Sequence, residues 1–342
     1  MSLVNHRFIL TSRPVGMPTR EAWAYREEPV RDLKPGEVLI KVLLVSLDPA
    51  MRGWMRDQRS YSPPIAIGEV MRALALGKVV ISANPKFPAG KYVSGPLGVQ
   101  EYCISDAKSL MEVDPRIAPL PKFVSVLGMT GMTAYFGLLE TGQPVAGETV
   151  VVSAAAGAVG SIVGQIAKIK GCRAVGIAGG DEKCRYLTRD LGFDAAVDYK
   201  SEKVADALRT TCPAGINVYF DNVGGDILEA ALANLARGAR IVICGAISQY
   251  NNTSPIQGPR NYLSLLVNRA SMKGMLVFDY AARYPEAVRE MAAWLAADKL
   301  KSREDIVDGL ETFPETFVKL FTGDNFGKLI LRVADDESVA AA

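Results

Sequence analysis

The sequence has 342 residues, of which 49% are hydrophobic, and its 39 basic and 37 acidic residues leave a formal net charge of +2. This length accommodates about two domains with sizeable cores. The near-neutral charge gives no support to a nucleic-acid partner or a membrane surface. No apolar run approaches the roughly 18 residues of a membrane helix, and the charged stretch MSLVNHRFILTSRP at the N-terminus is unlike a signal peptide.

Cysteine and histidine usage narrows the chemistry further. The five cysteines are scattered without metal-type spacing, at Cys103, Cys172, Cys184, Cys212 and Cys244. This pattern favours reduced thiols and a cytoplasmic location over a disulfide framework. The single histidine is His6, so we expect neither a histidine-rich metal centre nor a histidine base, unless His6 itself folds into the site.

The first 120 residues contain short apolar runs bounded by Gly, Pro and Asn. In GEVLIKVLLV, strict alternation places Val38, Ile40, Val42 and Leu44 on one predicted face. GKVVISANP, GKYVSGP and GVQEYCISD are further short runs. This spacing predicts a compact domain resembling a β-barrel.

From about Pro121 the pattern changes to alternating strands and helices. The predicted strands are Thr149–Ser153, Arg173–Ala178, Ala195–Asp198, Val218–Asp221, Arg240–Gly245 and Met272–Val277. This order is typical of an α/β fold with a doubly wound parallel sheet. A last strand-like run covers Gly327–Val333. It could rejoin the first domain, but periodicity alone does not show to which domain it belongs.

A glycine-rich turn opens the alternating region. Residues 155–160 have the spacing G-x-G-x-x-G, but Ala155 stands at the first glycine. If Ala155 keeps a negative φ, Gly157 allows a pyrophosphate to approach the backbone and Gly160 allows close packing of helix and strand. The helix N-terminus then offers free N–H groups to the phosphates. The alternative is a turn required only for packing.

The segment after the next strand favours NADP over NAD. An acidic residue that binds the ribose 2′-OH is expected about 20 residues after the turn, where the chain has Gly180 and then Asp181. Asp181 is also placed to cap a helix over Glu182–Leu191. Gly180 leaves room for a 2′-phosphate, Lys183 supplies a positive charge, and Tyr199 supplies a hydroxyl. A solvated surface lysine is the alternative for Lys183.

A set of short motifs carries a family resemblance. AAAGAVGS, GGDEK, VDYK, YFDNVGG, CGAISQYN, MLVFD and GDNFGK occur in this order, with DPAMRGWM ahead of them. The chain resembles the zinc-independent medium-chain dehydrogenase/reductase superfamily. More narrowly, it is similar to the prostaglandin reductase / leukotriene B4 12-hydroxydehydrogenase group and its bacterial members of the NADPH-dependent curcumin reductase type. The matches span about residues 46–330.

The resemblance implies an architecture. A GroES-like β-barrel catalytic domain would comprise residues 1–123, completed by 305–342, and a Rossmann domain that binds NADPH would comprise 124–304. NADPH and a small-molecule substrate would occupy the cleft between these domains. Members are typically homodimers joined through their Rossmann sheets, so a homodimer is expected here.

The resemblance also implies site residues. The pyrophosphate would lie on Gly157, Ala158, Val159 and Gly160, and the 2′-phosphate on Lys183 and Tyr199. The rest of the cofactor would contact Thr130, Asn222, Cys244, Gly245, Ala246, Ile247, Ser248, Tyr250, Met275, Leu276, Val277 and Asn325.

The positions that hold zinc in zinc-using relatives carry other residues here. Their C-x-x-D segment reads Val45-Ser46-Leu47-Asp48, and their G-H-E segment corresponds to Ile67-Gly68-Glu69. Neither zinc ligand is present, so no metal and no zinc-dependent alcohol oxidation is expected.

Without a metal, NADPH requires an electrophilic substrate, and an α,β-unsaturated ketone or aldehyde meets that need. Hydride would go to the β-carbon, and a donor would stabilise the enolate and protonate the α-carbon. Tyr250 is the first candidate for this donor and Tyr61 the second. Alternatively, Tyr250 only packs on the cofactor ribose, and Tyr61 is a surface aromatic.

Two other functions stay open. One is a zinc-free NADPH:quinone oxidoreductase on the same fold, and the other is a non-catalytic NADPH-binding protein. Three departures from the family pattern, Val99, Glu69 and Arg72, would reshape the substrate pocket and leave the substrate undetermined.

Overall fold

The computed structural model describes residues 3–256 and 258–336. The strands of the described residues are β1 Val4–Leu10, β2 Trp23–Pro29, β3 Val38–Ser46, β4 Ala75–Ser82, β5 Tyr92–Gly95, β6 Tyr102–Ser105, β7 Met111–Val113, β8 Thr149–Ser153, β9 Arg173–Ala178, β10 Ala195–Asp198, β11 Ile216–Asp221, β12 Leu235–Ile243, β13 Ser271–Gly274, β14 Glu304–Asp308 and β15 Lys328–Arg332.

The α-helices are α1 Ala50–Trp54, α2 Met129–Phe136, α3 Gly160–Ile169, α4 Asp181–Arg189, α5 Val204–Thr211, α6 Gly225–Leu232, α7 Leu263–Asn268, α8 Tyr284–Ala296 and α9 Phe313–Thr322. Short 3-10 helices lie at Arg20–Ala22, Leu120–Val124, Ile247–Gln249, Val277–Arg283 and Leu310–Thr312, and a π-helical segment at Gly137–Gly142. No helix of the described residues is both long and apolar enough to span a membrane.

The chain divides into two compact units. The first takes in the chain up to Val124, together with Glu304–Asn325 and the chain from Leu329. The second comprises Ser125–Arg303 and the short segment Phe326–Lys328. Residues 337–342, which the sequence assigns to the end of the first domain, lie outside the described residues.

A sheet whose strand pairs from β15 to β7 are antiparallel forms most of the first unit. Its strand order is β14-β15-β3-β4-β5-β7, and β6 also pairs with β3. A separate hairpin pairs β1 with β2. The late strand β15 runs antiparallel to β3, with Ile330 opposite Ser46. The C-terminal part of the chain therefore returns to the sheet that the N-terminal part begins.

The side chains of β3 do not alternate as the sequence predicts. Val38, Ile40 and Val42 share one core cluster with Val45, whereas Leu44 packs in another. The register of β3 against β4 shifts between Val42 and Leu44. A bulge adds one residue to a strand and reverses the facing of the residues that follow, so the prediction for Leu44 was wrong.

A parallel sheet organises the second unit. Its order is β10-β9-β8-β11-β12-β13, and all neighbouring strands run parallel. This is the 3-2-1-4-5-6 order of the Rossmann fold. The predicted α/β fold, with a doubly wound parallel sheet and a separate strand-rich domain, is confirmed.

The strand order reverses between β8 and β11, and ligands of such sheets bind where the strands end at this point. The predicted bounds of β8, β9 and β10 agree with the structure, and β11 ends at Asp221 as predicted, but the last two strands of this sheet end early. β12 ends at Ile243 and β13 at Gly274. The segments after both strands are therefore irregular backbone with N–H and C=O groups outside the sheet.

Candidate active site

The turn between β8 and α3 presents unused backbone donors. The N–H groups of Ala158, Val159 and Gly160 donate no hydrogen bond to backbone carbonyls of the described residues, whereas Ser161 N–H donates to Gly157 O at 3.1 Å. Three donors at the start of a ten-residue helix, together with its dipole, suit a pyrophosphate. The geometry of this turn therefore fits a dinucleotide.

Ala155 can occupy the first glycine position of the motif because the preceding residue, Ala154, adopts the left-handed backbone conformation. Ala154 has a φ of 50°, in the left-handed region, while Ala155 stays outside it. Ala155 is fully buried and its N–H donates to Ile177 O at 2.9 Å. The turn therefore needs a left-handed residue one position earlier than the first glycine of the motif.

Gly160 is required by close packing within this turn. A Cβ atom there would lie 2.4 Å from Ala154 O, and a Cβ atom at Gly157 would lie 3.1 Å from the same oxygen. The strained Ala154 directs its carbonyl towards both glycines. Side chains at these positions would push the helix away from the strand.

The end of β9 forms a second part of the candidate site. Gly180 has a φ of 95°, and its N–H donates to Asp198 Oδ1 at 2.7 Å. A Cβ atom at Gly179 would lie 2.7 Å from the hydroxyl oxygen of Tyr199. The structure thus brings Tyr199 against the glycine pair that precedes Lys183. Hydrogen bonding from Gly180 N–H is the main cause that lowers the pKa of Asp198.

Asp181 does not cap the following helix. α4 begins at Asp181, its N-cap is Gly180, and no side chain within residues 3–256 or 258–336 caps it. Asp181 instead pairs with Arg185 one turn further on. The capping prediction was wrong because the left-handed Gly180 places the helix start one residue earlier.

A buried carboxylate holds the turn at the end of β11. Asp221 Oδ1 accepts hydrogen bonds from Ser153 Oγ, the Tyr219 hydroxyl and the N–H groups of Val223 and Gly224, each at 3.0 Å. Burial raises the pKa of Asp221 above its ordinary value, although these donors oppose the rise. Ser153 and Asp221 end the two strands between which the order reverses, so this hydrogen bond lies at the predicted ligand crevice.

Asn222 follows directly and is fixed in both backbone and side chain. Its N–H donates to Ser153 Oγ and its Nδ2 to Ser153 O, both at 2.8 Å. The sequence analysis predicts a cofactor contact for Asn222 and makes no prediction for Ser153 or Asp221. Their only signal is position, since each is a polar residue at the end of an otherwise apolar strand.

The turn after β12 carries the candidate tyrosine. The N–H groups of Cys244 and Gly245 both donate to Asp221 O at 3.0 Å. Ala246 N–H donates to the hydroxyl oxygen of Tyr250 at 3.2 Å. The half-buried Tyr250 therefore folds back over its own turn. Burial, aided by the charge of Asp221, raises the pKa of the Cys244 thiol to about 12, which keeps it protonated.

The segment after β13 and the start of α2 contain the remaining candidates of the second unit. Met275 N–H donates to Ile243 O at 3.1 Å. Val277 is buried and its carbonyl accepts a hydrogen bond from the Tyr284 hydroxyl at 3.0 Å. The buried Thr130 donates from Oγ1 to Ser125 O at 2.9 Å. These contacts fix the backbone of both segments.

The first unit holds Tyr61 in an exposed loop between α1 and β4. Arg72 Nη1 donates to Ser62 Oγ and Pro63 O, both at 2.9 Å, and its guanidinium lies 5.7 Å from the Trp54 ring centroid. Arg72 therefore anchors the Tyr61 loop.

The other departures from the family pattern have local roles. Glu69 Oε2 accepts from Ala66 N–H at 3.0 Å, and Val99 is fully buried. Asn325 ends the Glu304–Asn325 segment of the first unit.

His6 lies in the first unit, in β1. Its Nδ1 is 2.6 Å from Glu101 Oε2 and its Nε2 is 3.2 Å from Glu27 Oε1. Both ring nitrogens are therefore engaged by carboxylates. Among residues 3–256 and 258–336, no group of three His, Cys, Asp or Glu side chains is arranged to hold a metal ion.

Comparison with known proteins places the chain in a family. Residues 6–113 match the model for the N-terminal domain of oxidoreductase, and residues 158–295 match the model for zinc-binding dehydrogenase. The NADPH-dependent curcumin reductase of Escherichia coli (strain K12) is 45% identical over 97% of this chain and 98% of its own. The NADP(+)-dependent 2-alkenal reductase of Nicotiana tabacum is 40% identical over 96% and 98%.

Comparison with a solved structure leads to the same family. CurA from Vibrio vulnificus in complex with NADPH is 43% identical, with a TM-score of 0.92 over 97% of this chain and all of that one. The chain belongs to the zinc-independent medium-chain dehydrogenase/reductase family, within its prostaglandin reductase and curcumin reductase type. It is an enzyme, an NADPH-dependent oxidoreductase.

Proposed function

We propose that this enzyme reduces the carbon–carbon double bond of α,β-unsaturated ketones and aldehydes. Relatives that match almost the whole chain are named for the reduction of curcumin and of 2-alkenals. The observation that carries the proposal is the turn after β12, where a tyrosine hydroxyl is held by backbone at the carboxyl end of the sheet.

The second unit provides most of the proposed cofactor contacts. The open N–H groups of Ala158, Val159 and Gly160 would bind the pyrophosphate with Gly157. Lys183 and Tyr199 would bind the 2′-phosphate. The remaining proposed contacts are Thr130, Asn222, Cys244, Gly245, Ala246, Ile247, Ser248, Tyr250, Met275, Leu276, Val277 and Asn325.

When bound, NADPH would supply the hydride that the substrate β-carbon accepts. Negative charge then develops on the carbonyl oxygen, and a hydrogen-bond donor aimed at that oxygen contributes roughly 10²–10³ in rate. A phenol that accepts a hydrogen bond still carries its own proton, so Tyr250 can accept from Ala246 N–H and donate to a ligand. Tyr61 is the second candidate donor, because Arg72 holds its loop in a defined place.

Turnover with a medium-chain 2-alkenal tests the proposal. NADPH oxidation should yield the saturated aldehyde, and a simple quinone should be the poorer substrate. Rapid reduction of quinones with no turnover of alkenals or enones would favour the quinone oxidoreductase. NADPH binding without turnover of either class would favour a non-catalytic protein.

We further infer a homodimer that pairs the two Rossmann sheets. β13 is an edge strand, and the adjacent helix α7 exposes Leu263, Leu266 and Val267, with Leu266 75% exposed. A strand edge that pairs with no other described strand, next to an apolar surface, suits a second copy of the same chain.

The domain division is also a proposal: residues 1–123 with 305–342, and residues 124–304. The two compact units support it. The five free thiols support a cytoplasmic location.

A further inference from the structure

The aromatic ring of Phe326 is contacted by two cations. Arg303 Cζ lies 3.9 Å from the ring centroid and Lys183 Nζ lies 5.9 Å from it. Tyr186 packs edge-on against the same ring, with centroids 5.0 Å apart. Both cations are within the roughly 6 Å range of cation–π attraction. These four residues form a cluster, called here the Phe326 cluster, that includes the proposed 2′-phosphate lysine.

The backbone next to Phe326 is tied to the glycine-rich turn. Gly327 N–H donates to Ala156 O at 3.1 Å, and Gly327 forms an isolated parallel bridge with Gly157. Phe326 is therefore fixed relative to the proposed pyrophosphate site as well as to α4.

The backbone of Arg303 is fixed beside the same segment. Lys328 N–H donates to Arg303 O at 2.9 Å. A Cβ atom at Gly327 would lie 2.3 Å from Arg303 O, so only glycine allows this approach. The Arg303 side chain is thereby set to cover the half-buried ring of Phe326.

A lysine side chain is long and flexible, and holding it in one geometry costs rotamer entropy. A ring that attracts the ammonium group removes part of that freedom before the phosphate binds. Preorganisation of this kind improves affinity without any new contact to the ligand. It would act on the 2′-phosphate alone, because NADH lacks the group that Lys183 binds.

We propose that Phe326 is a positioning residue for Lys183, that Arg303 fixes the ring of Phe326 by packing over it, and that both thereby increase the preference for NADPH over NADH. The proposal rests on the proposed role of Lys183. It assigns a part in cofactor selectivity to residues 303 and 326, which are far from Lys183 in the sequence.

Calorimetric dissociation constants of NADPH and NADH test this on four single variants. Phe326→Leu keeps an apolar side chain but removes the π face, and Arg303→Ala removes the cation over the ring. Lys183→Ala removes the proposed phosphate ligand. Arg189→Ala is the matched control, since it removes one positive charge from α4 without a cation–π contact to Phe326 among the described residues.

We expect Phe326→Leu and Arg303→Ala to weaken NADPH binding about two- to five-fold, as an exposed cation–π contact implies. NADH binding should stay nearly constant, so the ratio of the NADPH dissociation constant to the NADH dissociation constant should rise. Arg189→Ala should change this ratio less than Phe326→Leu and Arg303→Ala do. In a Lys183→Ala background, Phe326→Leu should not change the ratio further, because coupled residues give non-additive effects.

Three results would overturn the proposal. In the first, the preference for NADPH over NADH stays constant in both Phe326→Leu and Arg303→Ala while Lys183→Ala lowers it. This result rejects the positioning role and keeps the proposed role of Lys183. Equal losses for NADPH and NADH would make the Phe326 cluster merely structural. A constant ratio in Lys183→Ala would reject the proposed role of Lys183 and this inference with it.

Discussion

The hydroxyl oxygen of Tyr250 accepts a hydrogen bond from the N–H of Ala246 at 3.2 Å. These two residues flank the 3-10 helix Ile247–Gln249, so the phenol closes its own turn. A Cβ atom at Gly245 would lie 3.1 Å from the same oxygen. Glycine at 245 therefore keeps the hydroxyl in contact with the backbone.

Tyr250→Phe should lower kcat/KM for an enone about a hundredfold, because it removes the proposed donor to the developing oxyanion. The Kd for NADPH should change little, since the ring remains. Steady-state kinetics and calorimetry measure the two quantities. Tyr262→Phe, which removes an exposed hydroxyl, is the control. If Tyr61→Phe loses this activity and Tyr250→Phe does not, the first candidate is wrong.

Ala154→Gly should stabilise the protein. Ala154 has a φ of 50°, and relief of left-handed strain outweighs the added chain entropy of glycine by about 0.5–1 kcal/mol. The free energy of unfolding in denaturant measures the gain. Ala155→Gly is the control and should destabilise, because Ala155 is buried outside the left-handed region. Equal destabilisation by both variants would reject the assignment of strain to Ala154.

His6 should make stability depend on pH. Its pKa is raised above 6.5, mainly by the hydrogen bond with Glu101 and further by Glu27. A histidine with a raised pKa stabilises the folded state fully below the unfolded pKa of about 6.5, and this stabilisation is lost as pH rises through the folded pKa.

His6→Gln tests this directly. The difference in unfolding free energy between the wild type and His6→Gln should be largest in mildly acidic solution and shrink as the pH becomes alkaline. Denaturant titrations across this range measure it. A difference that is constant, or that grows with pH, contradicts the pairing of His6 with Glu101 and Glu27.

Leu266→Asp should convert the proposed dimer to a monomer. Leu266 is 75% exposed on α7, and a carboxylate buried there without a partner is costly. Light scattering after size-exclusion chromatography gives the mass, and circular dichroism checks the fold. Ile117→Asp, at a residue 53% exposed in the first unit, should leave the dimer intact. A dimeric Leu266→Asp protein would place the interface elsewhere.

The strands of the parallel sheet could be predicted from the sequence because they are short apolar runs with clear ends. β8, β9 and β10 begin and end where the periodicity predicts. Cys244 and Gly245 continue the apolar run of β12, yet both donate to Asp221 O. A carbonyl on another strand decides where β12 ends, and periodicity carries no information about it.

Other features depend on residues that are distant in sequence or on backbone geometry. The contact between Arg303 and Phe326 depends on how Gly327 approaches Arg303 O. The bulge that turns Leu44 away from Val42 cannot be predicted from the sequence, because the residues around it are all apolar. The left-handed conformation of Ala154 could not be predicted, because the glycine motif has its first glycine position at 155 and not at 154.

The fate of the transferred hydride distinguishes reduction of the carbon–carbon double bond from reduction of the carbonyl group. The enzyme is incubated with a 2-alkenal and NADPH carrying deuterium at the transferable position, and the product is examined by nuclear magnetic resonance and mass spectrometry. We expect a saturated aldehyde with deuterium on the β-carbon and a solvent proton on the α-carbon. An unsaturated alcohol with deuterium on the former carbonyl carbon would contradict it.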